Sequence, residues 1–360
     1  MLRKPTLFVL GAGASHELGM PLGVTLAGHI ADYLKFEFCV DLMTKGNFDL
    51  YQALQSHFSN PDKDPTKLHG HLNAASRIRG GIRIARSVDN YVDSHRGDLE
   101  VQLLAKVAIF DCILKAEKGS KLYQKPNSSK SLYDVDELEK TWINEFVSLL
   151  FDGVSKDQLG DVFTNLSIIS FNYDRCLQQG LVLALHNLYH LDLSSCHDLV
   201  DKLEIVYPYG SLGPLNPRST TEAIPFGVDM YKGLLFEKSK AIRTYTEQQK
   251  DISEISKIAN FVNKSQNIVF LGCAFHPQNI KALTARSNSF NKTIIGTAFE
   301  ISDDGVLQIA ARVVDALYSL TEGNGSSEST ASQFNGTKIK LRNDLKCFEL
   351  MKEYRQFLIK

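Results

Sequence analysis

The stretch Thr6–Ser15, TLFVLGAGAS, decides how the rest of the chain is read. Thr6 to Leu10 is a short apolar run of strand-forming residues, ended abruptly by Gly11-Ala12-Gly13. From Pro21 to Leu34, apolar side chains recur at helical spacing, at Leu22, Leu26, Ile30, Tyr33 and Leu34. A buried strand, a glycine turn and a helix aim backbone N–H groups and a positive dipole end at one point, where a phosphate would be held. Gly11 and Gly13 permit close backbone approach, and Ser15 adds a hydroxyl. The dehydrogenase fingerprint G-x-G-x-x-G is not met. Its third glycine falls on His16, and no second strand ending in an acid follows about 20 residues on.

The strand signal returns at Leu166–Phe171 (LSIISF), Ile205–Tyr207, Asn267–Leu271 (NIVFL) and Thr293–Ile295. These runs are continuous rather than alternating, as expected of parallel strands covered on both faces. Helical segments intervene over 175–190, 246–264 and 304–319. The repeated order strand, turn, helix predicts an α/β fold, a Rossmann-like doubly wound parallel sheet. No strand is expected between residues 40 and 160. There the apolar faces are helical: Val88, Tyr91 and Val92; then Leu99, Leu103, Val107, Phe110, Ile113 and Leu114; then Trp142, Phe146, Leu149 and Leu150. Residues 41–160 thus read as an α-helical insertion within a discontinuous sheet domain of 1–40 and 161–320. Residues 322–336, EGNGSSESTASQFNG, read as a flexible linker, and the rest of 321–360 as an amphipathic tail on Leu345, Phe348, Met351 or Leu350, Tyr354, Phe357 and Leu358.

With 360 residues, 43% hydrophobic and 22% charged, the chain has an ordinary globular composition, and a formal net charge of -1 argues against bulk attraction to nucleic acid or membrane. No apolar run approaches the roughly 18 residues of a membrane span. The six cysteines include no C-x-x-C pair, which argues against a zinc ribbon and fits reduced thiols in a cytoplasmic protein. His16-Glu17 begins like H-E-x-x-H, but position 20 is Met. His186, His190 and His197 lack a readable set of converging ligands, so no metal is expected. Arg77, Arg79, Arg83 and Arg86 form a basic cluster followed closely by Asp89, Asp93, Asp98 and Glu100, and read as a solvated charged face.

Three more stretches follow expected strands, where an open α/β sheet gathers its ligand-binding loops. They are Phe171-Asn172-Tyr173-Asp174, Tyr209-Gly210-Ser211-Leu212-Gly213 and Gly272-Cys273-Ala274-Phe275-His276-Pro277. Each alone is turn and cap chemistry. As a set, with Gly11–Ser15 first, they resemble the sirtuin-like NAD-binding superfamily, in its bacterial branch of NAD-hydrolysing defence domains. Gly11–Ser15 is similar to that family's GAG-x-S loop, Gly19-Met20-Pro21 to its G-I-P, Asn172-Tyr173-Asp174 to its N-x-D, and Gly272-Cys273 to its late glycine loop. Ser87-Val88-Asp89-Asn90-Tyr91-Val92 resembles a signature of the helical insert, and the likeness spans about residues 5–320. Two departures stand out. Leu22-Gly23 replaces the Asp-Phe-Arg of protein deacylases, which also carry a zinc module, so deacylation is not implied. Tyr209-Gly210 stands where the family has its catalytic His-Gly.

The resemblance implies an NAD glycohydrolase that releases nicotinamide and ADP-ribose, acting as an NAD-depleting effector in anti-phage defence. It assigns Asn172, Asp174 and Tyr209 to catalysis. It assigns Gly11, Ala12, Gly13, Ala14, Ser15 and His16, with Gly210, Ser211, Gly272, Cys273 and His276, to holding NAD. Asn172 carries a donor and an acceptor for a ribose hydroxyl or the attacking water. Asp174 suits the nicotinamide amide or developing positive charge. Tyr209, with an ordinary pKa near ~10, is a poor base at neutral pH and suits a ribose hydrogen bond instead, leaving His276 or His16 to supply an imidazole. The resemblance further implies a homo-oligomer or a HerA-type DNA-translocating ATPase partner. Two rivals stay open: a sensor or scaffold subunit that binds NAD or ADP-ribose without cleaving it, and a nucleic-acid-associated subunit using the arginine cluster. All of these assignments require four distant loops to meet at one rim of one sheet.

Overall fold

The computed structural model describes residues 1–40, 42–58, 66–126, 131–284, 291–318 and 336–359. The chain opens with β1 (Thr6–Leu10), whose five residues are all buried. Gly11 caps a five-residue helix, α1 (Ala12–His16), so the glycine turn already is a helix start; α2 (Gly23–Tyr33) follows. An antiparallel hairpin, β2 (Phe36–Cys39) and β3 (Leu42–Gly46), comes next. The insertion then supplies α3 (Phe48–Phe58), α4 (Thr66–Gly81), α5 (Val88–Ser94), α6 (Leu99–Gly119), α7 (Val135–Leu138) and α8 (Trp142–Phe151). The sheet resumes with β4 (Leu166–Ser170), α9 (Cys176–Tyr189), α10 (Leu193–Val200) and β5 (Glu204–Val206). After α11 (Lys232–Lys238), α12 (Tyr245–Gln248) and α13 (Ile252–Lys264) come β6 (Asn267–Leu271), α14 (Pro277–Ala282) and β7 (Thr293–Thr297). The chain closes with α15 (Asp303–Tyr318), β8 (Lys338–Arg342) and α16 (Cys347–Leu358).

Six parallel strands form one sheet in the order β5-β4-β1-β6-β7-β8. Ranked among themselves, they run 3-2-1-4-5-6, the order of doubly wound nucleotide-binding sheets. The expected α/β, Rossmann-like fold with a helical region is therefore present. Phe8 lies in register between Ile168 and Val269, all fully buried, as continuous apolar strands require when both faces are covered. The switch point, where the order reverses, lies between β1 and β6.

Two stretches differ from expectation. Strand β3 lies beyond residue 40, where no strand was expected, and pairs with β2 just before that boundary. The hairpin's residues are largely exposed, so its sequence carries no continuous buried run. Lys338–Arg342, expected within the tail, pairs with β7 along its whole length as the sixth strand. KIKLR alternates charge with aliphatic side chains because it is a half-exposed edge. The linker expected over 322–336 falls, up to residue 335, outside the described residues. The apolar stripe of α16 packs on β7 and α8.

The insertion is the crossover between β1 and β4, and it is stapled to the sheet. Phe146 of α8 meets Phe8 edge-on, with ring centroids 5.0 Å apart. Trp142 donates its ring N–H to Ala14 O at 2.8 Å. Glu17, at the end of α1, accepts the backbone N–H groups of Trp142 and Phe348 at 2.8 and 3.0 Å, tying the starts of α8 and α16 together. At the other end, Arg175 and Glu117 of α6 form a fully buried bidentate pair, with Nη2–Oε2 2.6 Å and Nε–Oε1 3.1 Å. Glu117 also accepts the N–H of Arg175 at 3.1 Å and that of Gly227 at 3.2 Å.

Replacing Arg175 with Met leaves the Glu117 carboxylate buried without its counter-charge. The expected cost is about 3–5 kcal/mol, read as a lower urea midpoint, and an unchanged midpoint would refute the pair's role as a staple.

Candidate active site

The loops after β1 and β6 are laced together by backbone. Gly11 N–H donates to Leu271 O and Gly13 N–H to Gly272 O, both at 2.9 Å. A Cβ at Gly11 would lie 2.5 Å from Gly272 O, and one at Gly272, where φ is +63°, would lie 2.0 Å from Ala14 N. Glycine is required at both positions by that closeness alone.

The loop after β4 adds polar side chains to this pair. Asn172 Nδ2 donates to Gly11 O and to Ser15 Oγ, both at 2.9 Å. Ser15 Oγ in turn donates to Asp174 Oδ1 at 3.0 Å, which also accepts the Cys176 N–H at 3.1 Å. Ser15, Asn172 and Asp174 are 4%, 9% and 7% exposed, yet all three line one crevice of about 540 Å³ at the switch point. Asn172 Oδ1 takes no hydrogen bond from the described residues, so its acceptor is unspent. Burial raises the Asp174 carboxyl above its ordinary pKa, against the pull of the Cys176 and Ser15 donors.

The crevice gathers most of the expected residues. Gly11, Ala12, Gly13, Ser15, Asn172 and Asp174 line it, and so do Gly272, Cys273 and His276. Burial pushes the Cys273 thiol up to about 12, so it is no thiolate at neutral pH. Burial first, and then Arg86, lowers the His276 imidazole, which favours its neutral form.

Five expected residues lie elsewhere. Ala14 is fully buried behind the loop, its carbonyl taken by Trp142. His16 is exposed, with Nδ1 3.1 Å from Met20 O, and is not among the crevice-lining residues. Tyr209 is 1% exposed, and its hydroxyl donates to Asn279 Oδ1 at 2.7 Å; Asn279 lines the crevice, Tyr209 does not. Burial lifts that hydroxyl well above its ordinary range, so Tyr209 is a donor and no base. Gly210 and Ser211 line a separate depression with Tyr207, Lys240, Arg243 and Lys257. The cause is topological: β5 is the edge strand, two places from β1 and about 10 Å from it.

The insertion and the start of α2 supply a further wall, to which the sequence assigned no site residue. Arg86, Ser87, Val88 and Asp89, from the insertion, line the crevice together with Leu22, Gly23 and Val24 at the start of α2. The Tyr173 hydroxyl, between Asn172 and Asp174 in the chain, donates to Asp89. Burial raises the Asp89 carboxyl, while that hydroxyl opposes the shift. Asp93 on the same helix accepts from Thr246, which holds α5 against α12. The string Ser87–Val92 carried the available signal, but its charges read equally well as a solvated face. Among the described residues lining the crevice, Arg86 is the one arginine or lysine. No three His, Cys, Asp or Glu side chains of the described residues converge as metal ligands.

Compared with known proteins, the chain matches no family model and no curated protein.

A methyl group at Gly272 meets backbone and not a movable side chain, on a residue already in the left-handed region. Gly272→Ala is expected to cost about 2–4 kcal/mol and to disturb the Gly11–Ser15 loop. An unaltered thermal midpoint would contradict the close approach.

Proposed function

We propose that this chain is an NAD glycohydrolase of the sirtuin-like type, cleaving NAD to nicotinamide and ADP-ribose. The observation that carries the reading is the buried Asn172–Ser15–Asp174 set at the rim of a switch-point crevice, between two glycine loops. Cleavage of the nicotinamide–ribose bond passes through an oxocarbenium-like state. Asn172 Oδ1 is the acceptor for a ribose hydroxyl, and the Asp174 carboxylate faces developing positive charge. Tyr209 acts from behind, through Asn279, as a positioning residue. Arg86 is the counter-charge for the pyrophosphate. The reading extends to an NAD-depleting effector of anti-phage defence, working as a homo-oligomer or beside a HerA-type ATPase; a fall in cellular NAD on phage infection is its test.

One observation favours a second reading. The residue in the histidine's place is buried, with its hydroxyl committed to Asn279, which suits a subunit that binds NAD or ADP-ribose without turnover. Nicotinamide release and ADP-ribose binding, measured on the same protein, separate the two: turnover supports the hydrolase, and saturable binding alone supports the sensor.

Asn172→Ala is expected to lower nicotinamide release by on the order of 10²-fold or more, as for loss of other transition-state hydrogen-bonding groups. A mutant that matches the parent would dismiss the assignment. Arg86→Ala is expected to weaken ADP-ribose binding about tenfold, and by less as salt is raised; calorimetry at two ionic strengths measures both effects.

A further inference from the structure

We infer that Asp89, supplied by the helical insertion, is the base that takes a proton from the attacking water. The inference rests on the hydrolase reading and names the group that does the work left undone at Tyr209. Asp89 lies in the first turn of α5, lines the switch-point crevice and is half-buried, so water reaches it. The Tyr173 hydroxyl and the residue's own backbone N–H hold the carboxylate, and among the described residues no other side chain donates to it. Because Tyr173 sits between Asn172 and Asp174, the same short loop sets both the ribose-binding amide and the orientation of this carboxylate.

Of the other candidates, Asp174 is buried where Asp89 is half-buried, and it is the group set against developing positive charge. Asp174 Oδ1 holds the Ser15 hydroxyl and the Cys176 N–H. Tyr209 donates its proton to Asn279 and lies outside the crevice. His276 stands beside Arg86 at the cap of α14, where a proton taken up would meet a positive charge. Around Asp89, Tyr173 and Tyr209 face it from the loops after β4 and β5, and Arg86 precedes it on its own segment. Asp174 and His276 line the same crevice. Tyr245 of α12 and Asp93 of α5 lie beyond Tyr209. From α2 and α6 only Gly23, Val24, Leu26 and Ile113 reach the crevice, and none of them titrates.

The step balances without any further reactant. The water oxygen bonds to C1′ of the ribose as the C1′–nitrogen bond breaks, and its electron pair stays on the departing nicotinamide. The positively charged pyridinium leaves as a neutral amide, so no acid is needed. One water proton passes to the Asp89 carboxylate and then to solvent.

The test is the pH profile of kcat for nicotinamide release from NAD, with ADP-ribose affinity measured in parallel, for the parent and three variants. Asp89→Asn keeps an oxygen for the Tyr173 hydroxyl and removes the base. It is expected to lower kcat by on the order of 10²-fold to 10⁴-fold, with ADP-ribose affinity and thermal midpoint near the parent's. In the parent, activity falls as pH drops through the carboxyl's pKa. Tyr173→Phe removes a donor that favours the ionised form, so the acid limb is expected to move to higher pH. His276→Ala is expected to keep that limb. Asp89→Asn at the parent's kcat, or an acid limb lost in His276→Ala, overturns the assignment of Asp89 alone. A parent that binds ADP-ribose without turnover overturns the base and spares the binding site. A parent that does neither overturns the hydrolase reading with it.

Discussion

Gly272 presses its backbone against Gly13 and Ala14 so closely that a single methyl group would have no room, and this contact fixes the spacing of the loops flanking the switch point. Two backbone hydrogen bonds carry the β1–β6 ladder past the end of the strands, so the loops leave the sheet as one unit. Only because of that can Asn172, arriving from β4 on the other side, reach both Gly11 O and Ser15 Oγ with one amide nitrogen. The polar set is thus a consequence of backbone packing. Any side chain larger than hydrogen at these glycines would part the loops and leave the amide with one partner or none.

The helical insertion does more than fill the long crossover between β1 and β4. Its far end brings α8 onto the sheet through Phe146 and Trp142, as a covering helix of a doubly wound fold. Its middle closes the crevice with Arg86–Asp89, held by the Tyr173 hydroxyl and by Thr246 on Asp93. The buried Arg175–Glu117 pair sits where the two parts meet, immediately after the Asn172–Asp174 loop. A buried ion pair is a poor source of net stability compared with apolar packing. It does set register, because the bidentate geometry and the two backbone N–H groups on Glu117 admit one alignment of α6 against the start of α9.

The sheet was legible in the sequence to the extent that its strands are buried. TLFVL, LSIIS and NIVFL are uninterrupted apolar runs because their neighbours and both covering layers exclude water, and no helix of that length would read so. KIKLR and the β2–β3 hairpin escaped because exposed strands show alternation or no pattern. At the site, the loops after β1, β4 and β6 were legible since their strands are adjacent at the switch point, and short polar motifs there converge by topology. Tyr209-Gly210-Ser211 carries as strong a motif, but it follows the edge strand, and lateral distance is invisible in a linear chain. Asp89 falls within a recognisable string, yet nothing local distinguishes a carboxylate that a distant tyrosine draws inward from one that faces water.

The glycine loop itself bears a different load from the one its sequence suggests. A phosphate-gripping turn needs N–H groups that are free, whereas Gly11 donates to the end of β6, Gly13 to the loop after it and Ala14 to Gly11 O at 3.0 Å, which leaves Ala12. The glycines are explained by the approach of Gly272 and require no ligand. If the proposed dinucleotide lies here, the Gly11, Gly13 and Ala14 N–H groups are not available to it, and other groups along the wall would carry the counter-charge. The start of α2 qualifies: Leu22 gives it no side-chain cap, and Gly23 opens onto empty space at the crevice edge. Arg86 qualifies on the insertion side. The strand, turn and first helix then serve as the rigid floor against which Asn172 and Asp174 are held. On the proposed reading, α2 and the insertion, whose ends line the crevice beside that floor, are the elements that would meet the anion.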